Sequence, residues 1–210
     1  PHTLHDILTG SVRAEEAVHW LPGGLGLLGG ESGSTNMLNL DDHQIHDLIR
    51  AVSPMSNSLD YIVVDTPAGA ENDTLSCVAA CDHVVVVLLS QATSFVDAYA
   101  LIKAAYHEYE IEHFSVVVNM IGSDSLAEAT FKRFQNATSR YLDVELHYCG
   151  SVPNSKVIER SVQSRTPVML QTQNSYWPNM FSHMLDKVLH TPKNNFGGIT
   201  FKAPEVEARI

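Results

Sequence analysis

"YIVVDTPAGAENDTLSCVAACDHVVVV", residues 61–87, runs apolar into Asp65, breaks at Pro67 and Gly69, and climbs into a second apolar run. The unbroken "YIVV" suits a parallel strand buried on both faces better than an alternating edge strand. A strand of that kind ends with Asp65 at the sheet margin where open α/β sheets bind their ligands. There a carboxylate can reach a metal-bound water, and Gly69 lets a backbone N–H approach a phosphate with no side chain in the way. Mg²⁺ prefers oxygen ligands and keeps several waters, so one protein carboxylate plus nucleotide oxygens would be adequate. The plainer alternative is that Asp65 caps the turn that follows it.

Outward from this stretch the same rhythm repeats. "HVVVVLLS" predicts a strand, "SFVDAYALIKAAYHEY" a helix, "HFSVVVNMI" a strand and "SLAEATFKRFQNATSRYL" a long helix. "VELHYCGSVP" predicts a shorter strand, and "NSKVIERSVQSR" and "YWPNMFSHMLDKVLH" two more helices. Upstream, "DDHQIHDLIRAV" has helical spacing, "TLHDILTG" and "SVRAEEAVHW" read as short helices, and "GGLGLLGG" is a strand candidate between paired glycines. Strands alternating with helices mean a mostly parallel, doubly wound α/β sheet covered on both faces. The expected organisation is one domain over residues 1–190, with 191–210 a tail that lies over the surface or is partly disordered.

The formal charge of −11 disfavours direct binding to nucleic acid or acidic lipid. Three cysteines are too few for a disulfide scaffold and fit a reducing cytosol. The chain has neither a leading secretory segment nor an 18-residue apolar run.

At the other strand exits stand Ser90 with Gln91, Asn119, and Pro153 with Asn154. Asn119 offers a donor and an acceptor together, which is what reading an adenine edge requires, but asparagine is also a common turn former. Pro153 is a strand stop or the rim of a base pocket. Cys77 and Cys81, four apart, read as buried structural residues before they read as cluster ligands. The eleven histidines are scattered and read as surface residues without a third clustered ligand. No G-x-S-x-G elbow and no G-x-G-x-x-G register is present. "GGESGST", residues 29–35, has no lysine and reads as a surface connection rather than a phosphate loop.

Taken in order, "TLHDILTGSVRAEEAV", "GGLGLLGGESG", "YIVVDTPAGA", "VVVVLLSQATSFVDAYALIK", "VVVNM" and "GSVPNSKVIERSVQSRTPVML" resemble the MinD/ParA group of deviant Walker A ATPases over residues 1–190. Within that group the chain is most similar to the MinD-like regulators of flagellar number and placement, the FlhG/FleN-like proteins. The resemblance implies a P-loop NTPase-like three-layer fold with ATP/ADP and Mg²⁺ as cofactors. It implies that Asp65 holds the magnesium shell through water, that the Gly69 amide senses the terminal phosphate, and that Asn119 reads adenine. It places Pro153 and Asn154 around the base, although many relatives carry aspartate in place of Asn154. Met120 stands where an arginine is common in the wider group.

The family begins with a strand and a glycine-rich, lysine-bearing loop, and G-x-x-x-x-G-K-[ST] occurs nowhere in the 210 residues. The expectation is an incomplete fold without its first strand and phosphate loop, and a chain that by itself is catalytically inactive. The loss would expose the faces of Ile62, Val63 and Val64. The parent protein is expected to be a cytoplasmic regulatory ATPase that forms a nucleotide-dependent homodimer and acts with a flagellar regulatory partner. The tail lacks an amphipathic membrane helix, so any recruitment to the inner membrane or cell pole is indirect. The alternatives are a non-enzymatic interaction module on a degenerate ATPase scaffold and an iron–sulfur carrier.

Overall fold

The computed structural model describes residues 2–29, 42–171, 176–194 and 200–201. They form two compact units. The first holds the described residues up to Cys81 together with 200–201, and the second holds 82–194.

In the first unit, α1 (Leu4–Leu8) opens at Thr3, whose backbone N–H donates to the Asp6 carboxylate at 2.8 Å. The short α2 (Ala14–Ala17) ends before a hairpin of β1 (His19–Leu21) and β2 (Leu25–Leu27). The expected helix through His19 and Trp20 is therefore not formed. The reason lies downstream: Gly23 and Gly24 take φ of 90° and 81°, which only glycine adopts freely, and they fold the chain back on itself. Next come α3 (Asp42–Val52), a 3₁₀ turn over Ser53–Ser58, and α4 (Asn72–Ala79). Ile7, Ala14, Ala17, Val52 and Met55 form the buried cluster, with Leu48, Ile62 and Phe201 packed against it. Ile45, Ile49 and Ala80 form a second cluster.

The strand expected at "LDYIVVD" is the principal difference between sequence and structure. Residues 61–67 make no ladder among the described residues. Instead their burial alternates: Ile62 and Val64 are half-buried, whereas Tyr61 is exposed and Val63 is 90% exposed. Period-two burial is what an extended chain shows when one side alone is covered. Here Ile62 meets the buried cluster and nothing described lies over Val63.

The second unit holds the parallel sheet. β3 (Val85–Leu88), β4 (His113–Ile121) and β5 (Glu145–Pro153) lie in the order β3-β4-β5, joined by α5 (Ala92–Tyr109) and α6 (Asp124–Thr138). They are followed by α7 (Lys156–Gln163), α8 (Val168–Gln171) and α9 (Tyr176–His190). Ser123 caps α6 by accepting from the Leu126 N–H, and Ser155 caps α7 by accepting from Val157. α5 stops at Glu110, which takes the left-handed conformation at φ 54°. β4 is buried on both faces, as a central parallel strand should be. Val117 packs with Cys149 and Met184 of α9, and Ser115 bonds Thr191 just beyond that helix, so the odd-numbered residues of β4 face α9. Phe114, Val116 and Val118 face the other way and are completely buried. On β3, Val86 and Leu88 are buried on this latter face, while Val85 and Val87, which pair with Ser115 and Val117, are exposed.

β5 carries a bulge: Tyr148 pairs with Val116 and Gly150 with Val117, leaving Cys149 over. Gly150 takes φ 147°, and a Cβ there would stand 2.6 Å from Met184 Cγ. Of the expected tail, residues 191–194 and 200–201 are held by specific bonds. Asn194 brackets the backbone of His113, its Oδ1 accepting from the N–H at 3.2 Å and its Nδ2 donating to the carbonyl at 3.0 Å. The Phe201 N–H donates to the Ala80 carbonyl. The remainder of 191–210, and "GGESGST" beyond Gly29, lie outside the described residues.

Candidate functional site

Asn119 stands at the carboxyl end of β4, opposite Val152, and Ile121 pairs with Pro153. The Asn154 N–H donates to the Ile121 carbonyl at 3.1 Å, so the two strand exits are tied together. The parallel register thus brings Asn119, Pro153 and Asn154 to one margin of the sheet. The Asn119 Oδ1 accepts from the Met120 N–H at 2.8 Å, which fixes the plane of the amide. One lone pair of that oxygen and both Nδ2 hydrogens stay available for a base edge. Met120 itself takes φ 55°, an uncommon conformation for a non-glycine residue. Sequence reading noted Met120 for its missing guanidinium, but its backbone is the more telling feature. Ser151, whose hydroxyl donates to the Asp124 carboxylate at 2.8 Å, was missed altogether and links this margin to the start of α6.

Asp65 and Gly69 belong to the first unit. Asp65 is exposed, and its carboxylate has no hydrogen bond or ion pair among the described residues, so it is not acting as a turn cap. An unengaged carboxylate at the end of an apolar run fits the outer shell of a hard cation. Gly69 takes φ 126°, with open space where a Cβ would stand, which leaves its backbone open to close approach by a ligand. Ser90 and Gln91 are both exposed, and Gln91 precedes α5 as its cap residue.

The cysteines give little support to a cluster. Burial, and secondarily the Asp73 carboxylate, pushes the Cys77 thiol above its ordinary value and disfavours the thiolate a metal needs. Among the described residues neither Cys77 nor Cys81 lies with two further ligand groups. The histidines are not all surface residues: His113 and His147 are half-buried and converge on Glu145. No helix among the described residues is long and apolar enough to cross a membrane.

Parallel strands with polar groups at their carboxyl ends and helices on both faces define an α/β protein of the class that binds its ligands at that margin. The family described as "ParA: NUBPL iron-transfer P-loop NTPase" matches residues 40–189, and the chain belongs to this ParA family of P-loop NTPases. Antiactivator FleN of Pseudomonas aeruginosa is 34% identical over 79% of this chain and 59% of its own length. Flagellum site-determining protein YlxH of Helicobacter pylori is 30% identical over 86% of the chain and 60% of its own length. The chain therefore spans about three fifths of these relatives. A ParA family ATPase from Chlorobium tepidum superposes with a TM-score of 0.66 at 18% identity, over 90% of this chain and 76% of that one, which supports the fold.

Proposed function

We propose that this chain is the greater part of a regulatory ATPase that controls flagellar number or placement through a nucleotide-dependent homodimer. The observation that carries this reading is the joined margin of Asn119, Pro153 and Asn154 in a chain of ParA-family sequence. In this reading Asn119 holds the adenine edge, Pro153 and Asn154 wall the base, the Gly69 backbone meets the terminal phosphate, and Asp65 orients the waters around the cation. Mg²⁺, when bound, neutralises phosphate charge during in-line attack by water. The run 61–67, which makes no ladder, and the outer edge of β3, which pairs with β4 alone among the described residues, are each what a sheet lacking a strand presents. Together with the length of the relatives, this supports a phosphate-loop strand supplied by the full natural protein. The flagellar process rests on likeness to FleN and YlxH, and a flagellar regulatory protein is the proposed partner.

One observation favours a second reading, a binding module without catalysis: no G-x-x-x-x-G-K-[ST] occurs within the 210 residues. Titration of the full natural protein with a fluorescent adenine nucleotide, with and without Mg²⁺, separates the two. Saturable, Mg²⁺-dependent binding with preference over a guanine nucleotide is expected, and its absence leaves the binding module standing. In the same assay Asn119→Ala is expected to weaken adenine binding by about 10–100-fold, the loss of hydrogen bonds worth about 1–3 kcal/mol. Unchanged adenine affinity would remove Asn119 from the base site.

A further inference from the structure

The opposite end of the same two strands carries a cluster that nucleotide chemistry does not use. His113 opens β4 and Glu145 opens β5; they are direct ladder partners, and His147, two residues on, shares their face. His113 lies six residues before Asn119, roughly 20 Å away at about 3.3 Å per strand residue. Glu145 Oε2 lies 3.5 Å from His113 Nδ1 and 3.6 Å from His147 Nε2, and all three ligand atoms fall within 4.8 Å of one another. His113 Nδ1 and His147 Nε2 are shut off from solvent and have no hydrogen-bond partner among the described residues. Buried polar atoms of this kind call for an explanation, and an ion is one of the few available.

We propose that His113, Glu145 and His147 form a binding site for a divalent transition-metal ion of the zinc class. A tetrahedral zinc with nitrogen and oxygen ligands at about 2.0–2.1 Å sets those ligands about 3.3 Å apart. Two of the three separations are already near that value, and the third is within 4.8 Å. Two imidazoles and one carboxylate suit zinc, copper or nickel, whereas magnesium and calcium favour oxygen ligands alone. The site is thus chemically distinct from the hard-cation position at Asp65. The backbone of His113 is already fixed by its two hydrogen bonds with the Asn194 side chain, so ordering this ligand on binding costs little. Three protein ligands leave a position for water. His147 also borders an open cavity of about 420 Å³ lined by Lys187, His190 and Thr191.

The test uses the full natural protein, stripped with chelator and free of nucleotide. Titration with Co²⁺ is expected to give the intense visible bands of a four-coordinate ion at one equivalent, displaced by Zn²⁺. His113→Gln and His147→Gln are each expected to weaken Zn²⁺ binding, measured against a chromophoric chelator, by more than the roughly 10–100-fold that loss of an outer-shell partner produces. His43→Gln should leave it unchanged. His147→Cys, which keeps a ligand at the position, is expected to restore binding and add a sulfur-to-cobalt charge-transfer band. That readout moves only if residue 147 touches the metal, whatever the other variants do to folding. Absence of a one-equivalent spectrum, or full affinity in a folded His113→Gln, His147→Gln double variant, would overturn the proposal.

Discussion

Asp65→Asn in the full natural protein is expected to lower Mg²⁺-dependent ATP turnover by about 10²–10³-fold while adenine nucleotide still binds, the magnitude usual for removing one electrostatic stabiliser of a transition state. The substitution keeps the shape of the side chain and removes its charge. Because Asp65 is exposed and bonded to nothing among the described residues, folding stability should change by no more than about 0.5 kcal/mol. Loss of turnover therefore reads as loss of chemistry. In the proposed function the base is held elsewhere, at Asn119, so binding of a fluorescent adenine nucleotide gives an internal control on the same sample. Turnover equal to that of the natural protein would take Asp65 out of the cation shell, and turnover lost together with binding would point to a role in assembling the whole site.

The largest effect on stability is expected at Gly150. Its φ of 147° is closed to other residues at little cost, and a Cβ would stand 2.6 Å from Met184 Cγ and 3.0 Å from Met184 Sδ. Backbone strain of about 1–3 kcal/mol and overpacking of about 1–3 kcal/mol both act in Gly150→Ala. A loss of about 2–5 kcal/mol follows, which in urea unfolding of the full natural protein lowers the midpoint by roughly 1–2 M. Met184→Ala removes the overlap but not the strain. The double variant should thus be more stable than the sum of the single losses by about 1 kcal/mol or more. Strict additivity would mean that the bulge, rather than contact with α9, sets the cost.

How much of this was legible in the sequence depends on the kind of interaction involved. "SFVDAYALIKAAYHEY" and "HFSVVVNMI" were readable because helical and extended periodicities are local, and both elements form nearly where the spacing puts them. Asn119, Pro153 and Asn154 were legible as strand ends, but their meeting required the parallel register. The Tyr61–Asp65 run misled because an apolar string states that burial is wanted and does not supply the neighbouring strand. His19 and Trp20 misled because a glycine turn after them outweighed the helical pattern before them. The His113–Glu145–His147 cluster was out of reach, since two of its members come from different strands and 31 intervening residues separate His113 from Glu145. The only local sign was Glu145 and His147 at a spacing of two, which many surface strands share.

The run at residues 61–64, covered on one side alone, also bears on how the protein survives its own synthesis. Tyr-Ile-Val-Val without a ladder partner among the described residues is a short, uncharged, β-prone segment of the kind that templates intermolecular pairing. It is flanked on each side by a carboxylate, Asp60 before it and Asp65 after it. Charges so placed act as gatekeepers, repelling a second copy of the segment while the sheet is still incomplete. In the nascent chain the negative charge of Asp65 thus opposes self-pairing, a second use for the charge that the proposed function assigns to a cation.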